Sequence, residues 1–121
     1  MAVKVIERLG KKILCVDFRG MQDQDEMLGL VSKLEEEIVL YKSPFLLLVH
    51  CEDAFFGQAV NDRILQNGKE FTDKDLISKM AVLGMGGIKS ILLQNFLVFT
   101  KSKATRAFVT EAEAIRWLVS D

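Results

Sequence analysis

His50 and Cys51 stand side by side in this chain, and Glu52 and Asp53 follow them directly. Imidazole and thiol can make a nucleophile with its base, provided that the ring reaches the sulfur. Neighbours on a strand point to opposite faces, so the pair becomes a dyad only if an irregular loop brings the two together. The other reading is an inert, buried thiol beside a strand-end histidine with a satisfied hydrogen bond. Glu26, Glu52 and Asp53 raise the question of a metal. With one histidine in the chain and no cysteine pair at ligand spacing, there is no zinc set, which leaves at most a weak divalent ion at the acidic loop. No metal site, no catalytic residue and no cofactor are expected.

Two further stretches can bind without catalysing. Gly84-Met85-Gly86-Gly87 precedes a helix and has Lys89 in its first turn, which superficially matches an anion-cradling turn built from Gly84, Gly86, Gly87 and Lys89. It has neither the full Gly-x-Gly-x-x-Gly spacing nor the Gly-Lys-Ser/Thr of a P-loop. A tight strand-to-helix turn, in which glycine permits positive φ, is the competing explanation. Phe55-Phe56-Gly57 follow the acidic pair. Open α/β sheets bind ligands beyond the carboxyl ends of their strands. Glu52, Asp53, Phe55, Phe56 and Gly57 therefore form a candidate ligand or partner loop, although the two aromatics can equally cap the core beneath it.

The elements that position these residues follow from periodicity. Val3, Val5 and Leu9 predict a first strand. Gly10-Lys11 turns into the run from Ile13 to Phe18, and so tight a link predicts an antiparallel hairpin. Asp17 and Arg19 share a face near its end. Asp23 caps a helix, with Glu26 at the capping-box position, and Met27, Leu30, Val31, Leu34, Ile38 and Tyr41 form its apolar stripe. Glu35 to Glu37 fall on the solvated side, and Ser43-Pro44 stops the helix. Phe45 to Val49 is a strand buried on both faces. Val60, Ile64 and Phe71, with Gly57, give a weak helical stripe, Asn67-Gly68 reads as a C-cap, and residues 72–75 make a polar connector.

The last third is a strand at Met80 to Leu83, a helix from Ile88 to Lys101, a second short strand from Ala104 to Val109, and a helix capped by Thr110 with Glu113. Strand–helix units of this length call for parallel strands crossed by helices. In the helix from Ile88, a 100° step sends Ile88, Ile91, Leu92, Phe96 and Phe99 toward the sheet together with Asn95, and turns Leu93 and Leu97 outward. Such an outward pair is either covered by a neighbouring helix or loop, or is an interface for a protein partner or a second copy.

The totals bound the class. At 121 residues, half of them apolar and 27% charged, residues 1–121 read as a single domain with one core. A net charge of −1 argues against nucleic acid, which calls for a basic face. Two cysteines inside apolar runs predict reduced, buried thiols. No apolar run reaches the ~18 residues needed to span a bilayer, no signal peptide is read at the start, and the expected location is cytoplasmic.

The stretch from Phe108 to Leu118 (Phe-Val-Thr-Glu-Ala-Glu-Ala-Ile-Arg-Trp-Leu) resembles the closing strand and helix of the SpoIIAA-like, or STAS-like, family, and Lys79 to Gly84 resembles that family's penultimate strand. The similarity runs from about Lys12 to Val119 and is specific only in the closing stretch. It implies an α/β fold: a mixed sheet of about five strands, with an N-terminal antiparallel hairpin and then parallel strands, flanked by about four helices. The family name also covers domains similar to lipid-carrier (SEC14-type) modules. Antagonists of anti-sigma factors in the wider STAS group carry a phosphorylated serine in an Asp-Ser pair after the central strand. Here Cys51 to Gly57 has no hydroxyl residue, so no phosphorylation switch is expected there. The resulting expectation is a non-enzymatic, self-associating or partner-binding regulatory module. The alternative is a carrier or sensor of a small apolar or anionic ligand at the carboxyl end of the sheet.

Overall fold

The computed structural model describes residues 3–40 and 44–120. Tyr41 of the helical stripe and Ser43 of the helix stop lie outside the described residues. β1 (Val3–Arg8) and β2 (Lys11–Asp17) pair antiparallel, joined by Leu9-Gly10. Both turn residues have positive φ, 52° and 76°, the geometry that matches a two-residue hairpin to strand twist. Leu9 therefore belongs to the turn, not to the strand expected from its apolarity, and it is 87% exposed.

α1 (Gln24–Leu40), β3 (Phe45–His50), α2 (Gln58–Asp73), β4 (Ile77–Leu83), α3 (Lys89–Thr100), β5 (Thr105–Phe108) and α4 (Glu111–Val119) complete the chain. The five strands lie in the order β1-β2-β3-β4-β5, and β2 to β5 are parallel. Each crossover steps one strand the same way, so a common hand puts α1, α2 and α3 on one face. α4, after the last strand, folds onto the other. Two cores result. Val16, Leu47, Met80, Val82 and Phe96 belong to the three-helix side, and Ile13, Leu48, Ala81, Leu83, Ala114 and Leu118 to the α4 side. Alternation along β4 serves both, which is why the strand reads as a continuous apolar run.

The caps explain where α1 and α4 begin. Asp23 Oδ1 accepts from the backbone N–H of Asp25 at 2.9 Å and of Glu26 at 3.1 Å. Thr110 Oγ1 accepts from Glu113 N at 3.3 Å and donates to the Glu113 carboxylate at 3.0 Å. Each satisfies N–H groups that a helix start leaves without partners.

Two further sequence expectations are overturned. Asn67-Gly68 does not end α2, which runs on to Asp73 through part of the expected connector. Gly68 is buried inside the helix, where a Cβ would collide with the Phe96 ring and lie 3.0 Å from Thr100 Cγ2. The glycine is there for the close approach of α3. The faces of α3 also differ from the periodicity reading by about a quarter turn. Phe96 and Thr100 are buried, Leu97 packs on the core, and Leu93 lines a cavity. Ile88 (85% exposed), Ile91, Asn95, Val98 and Phe99 face out. Leu93 and Leu97 are thus not an outward pair. α3 is apolar on most sides, and the notch at Gly68 decides which side seats inward.

Candidate functional site

The carboxyl ends of β2, β3 and β4 meet in a small network. Phe18 N donates to His50 O, Gly20 N to Glu52 O, and Cys51 N to Leu83 O, at 2.8–2.9 Å, which extends the sheet beyond its strands. Gly84 follows β4 with φ +82°, and a Cβ there would sit 2.5 Å from Glu52 N. Only glycine combines that conformation with that contact. Lys89 then donates from Nζ to Cys51 O at 2.7 Å, tying the start of α3 to the end of β3. Gly86 and Gly87 are exposed. In this arrangement the cation of the glycine turn is engaged by a carbonyl of the neighbouring strand.

His50 and Cys51 fall on opposite faces. His50 points to the α4 side, 5% exposed. Its Nδ1 lies 3.2 Å from both Glu52 carboxylate oxygens, and its Nε2 lies 3.3 Å from Glu111 Oε1. A neutral ring donates to one of these carboxylates at a time, and only the doubly protonated ring donates to both. The histidine thus ties β3 to the first residue of α4 and does not approach the thiol. Cys51 belongs to the three-helix core, where burial pushes its thiol up to about 12. Cys15, on the α4 side, is raised for the same reason. Neither is an activated nucleophile. Beside them Arg19 donates to both Asp17 carboxylate oxygens at 2.8–2.9 Å, and these hydrogen bonds hold the Asp17 carboxyl at about 2. Among the described residues, no group of three or more His, Cys, Asp or Glu side chains is arranged to hold a metal ion.

The loop after β3 is held from α1. Gln24 donates to Phe55 O at 2.9 Å and accepts from Gly57 N at 2.6 Å, while Gln22 donates to Asp53 O at 2.9 Å. Asp53 has a φ of +58° and is exposed. Phe55 is also exposed, whereas Phe56 turns under the loop onto Phe18, edge to face, with centroids 5.5 Å apart.

Beneath that aromatic pair lies a cavity of about 120 Å³, between the sheet and α1, α2 and α3 and partly open to solvent. Val49 and Val82 line it from the strands, Phe56 and Met85 from the loops, and Leu93 and Phe96 from α3. Its amide side chains are Asn61 and Asn67 of α2. Of the expected loop and turn residues, only Phe56 reaches this cavity. Sequence reasoning missed Asn67, although a signal was available. The stripe through Val60, Ile64 and Phe71 passes through position 67 at helical spacing, so a polar residue there faces the core.

No protein-family profile matches the chain, and no curated protein matches it. Among solved structures it is similar to an uncharacterised protein of the DUF3478 family from Shewanella loihica PV-4, described as having a SpoIIAA-like fold. The TM-score is 0.73 at 16% identity, over 97% of this chain and 92% of that one. The fold is SpoIIAA-like. At this identity the likeness carries the SpoIIAA-like architecture: a mixed five-stranded sheet with an antiparallel first hairpin and four helices. No helix among the described residues is long and apolar enough to cross a membrane.

Proposed function

We propose that this SpoIIAA-like chain is a non-enzymatic module that binds a small apolar ligand between its sheet and its three-helix face. The observation that carries the reading is the cavity of about 120 Å³ walled by Val, Leu, Met and Phe side chains. Well-packed interiors hold few voids larger than a water molecule. An engineered apolar cavity of about 150 Å³ stays dry and takes benzene, so this one is of a size for a single ring or a short chain. Native mass spectrometry of protein purified gently from its own host tests the proposal. A discrete low-mass adduct, lost on denaturation, is expected. Bare protein, together with no benzene-induced NMR shifts at Leu47, Val82 and Phe96, overturns it.

A second reading keeps partner binding or self-association and moves the surface. Ile88, Ile91, Val98 and Phe99 are exposed along one side of α3, and an apolar stripe of that kind marks contact sites. Light scattering on wild type and Ile91→Glu/Val98→Glu tests it. A wild-type dimer that the double substitution splits supports self-association, and a monomer in both removes it.

A further inference from the structure

Given a cavity that takes a ligand, we infer that its occupant is a small neutral compound bearing one hydrogen-bond acceptor, such as a ketone, lactone or ester, and that Asn67 Nδ2 donates to that oxygen. Asn67 lies on the inward stripe of α2, next to the Gly68 notch where Phe96 crosses. Its Nδ2 is buried and has no hydrogen-bond partner among the described residues, and the residue lines the cavity. Buried polar atoms are nearly always paired, so an orphan at a cavity wall marks where a partner belongs. Leucine would fill the position without that cost and is a better helix former. The asparagine therefore works against stability in a way that a ligand oxygen repays.

The surroundings set the charge of that ligand. Among the described residues no lysine, arginine or histidine lines the cavity, and cations on the helices around it are committed elsewhere, Lys89 to the Cys51 carbonyl and Arg63 to Glu35. A carboxylate would lose its hydration there with only the neutral amides of Asn61 and Asn67 in exchange, which is strongly unfavourable. A neutral carbonyl loses far less and gains the N–H. Apart from Asn61 the remaining wall is apolar, so the rest of the molecule is mainly hydrocarbon.

Two probes of about benzene's size, cyclopentanone and methylcyclopentane, differ chiefly in the acceptor, and butyrate supplies the charged alternative. Their affinities are measured by NMR titration for wild type and Asn67→Leu, a substitution that removes a buried unpaired donor and is expected to fold at least as stably. The expected result is that the ketone-to-hydrocarbon affinity ratio drops roughly tenfold or more in Asn67→Leu, the order of effect of leaving a buried hydrogen bond unmade. The Asn67 side-chain NH₂ resonance of wild type should also shift with the ketone and not with the hydrocarbon. Binding of both neutral probes with an unchanged ratio overturns the Asn67 assignment and leaves the cavity as a ligand site. Tighter binding of butyrate than of cyclopentanone overturns the neutral class. Binding of no probe overturns the ligand reading itself, and this inference with it.

Discussion

The same substitution, glycine to alanine, is expected to act with opposite sign in two helices of this fold. Gly29 is an exposed residue of α1 with nothing within 4 Å of where a Cβ would stand. Alanine there removes backbone entropy from the unfolded chain at no steric cost, so Gly29→Ala should stabilise by about 0.5–1 kcal/mol. Gly68 sits mid-helix in α2 and would gain the same propensity. A Cβ there would, however, lie 2.6 Å from Phe96 Cζ and 3.0 Å from Thr100 Cγ2, and both of those residues are buried. Overpacking of this kind costs about 1–3 kcal/mol. Against a gain of about 1 kcal/mol, the net for Gly68→Ala is a loss of about 1 kcal/mol, reaching about 2 where the ring cannot turn aside. Urea unfolding of wild type and both variants, with the slope held common, reads the two differences directly. If Gly68→Ala proves as stabilising as Gly29→Ala, the claim that this glycine exists to seat Phe96 is refuted.

Three further outcomes follow from the electrostatics and the caps. Arg19 holds Asp17 at about 2, below its unfolded value of about 3.9. Its stabilisation is therefore complete above about pH 4 and is lost as pH falls toward 2. The pair's side chains are 54% and 37% exposed, so the effect is under about 1 kcal/mol. Arg19→Ala should accordingly lose less stability than wild type between about pH 5 and about pH 2.5, and an identical acid dependence in the two proteins would contradict the pairing. Cys51, at about 12, and the raised Cys15 should both resist iodoacetamide at about pH 8 in the native protein and react once urea unfolds it. Mass spectrometry counts the adducts, and native alkylation of Cys51 independent of urea would contradict its burial. Thr110→Ala removes the α4 cap and should cost about 1 kcal/mol in the same urea assay, whereas an unchanged midpoint would mean that water caps the helix equally well.

What could be read in the sequence was whatever depends on near neighbours in the chain. Asp23 and Thr110 announce helix starts because a cap bonds N–H groups two or three residues away. Phe45 to Val49 announces a buried strand because both of its faces are covered. The resemblance carried by Phe108 to Leu118, taken with the order of strands and helices, then implied the SpoIIAA-like sheet. What could not be read depends on residues far apart. The inward face of α3 is set by Gly68 and by the reach of Lys89 to Cys51 O. In a helix where Ile91, Leu92, Leu93, Phe96, Leu97, Val98 and Phe99 leave few polar sides, local periodicity had nothing to choose by. Gly68 after Asn67 looked like a helix end because the pair has that chemistry. Its actual role is visible only once Phe96 is beside it. The contact of His50 with Glu111 spans the whole second half of the chain, and neither residue signals the other.

The cavity follows from how the two helical layers meet the sheet. α4 approaches the strands closely, and its Ala114 shares a core with Ala81, both fully buried. Small side chains on both partners allow that approach. On the opposite face the layer is propped by Phe18, Phe56, Phe71, Met80 and Phe96, and α3 leans on α2 more than on the strands. Bulky pillars at the rim, with Phe96 drawn into the Gly68 notch, leave space at the centre that the valines of β3 and β4 are too short to fill. The lock that Gly68→Ala would disturb is therefore the same one that keeps the cavity open. If the ligand reading holds, Gly68→Ala must weaken benzene-sized probes along with stability. Gly29→Ala, which touches neither wall nor pillar, must leave their affinity unchanged.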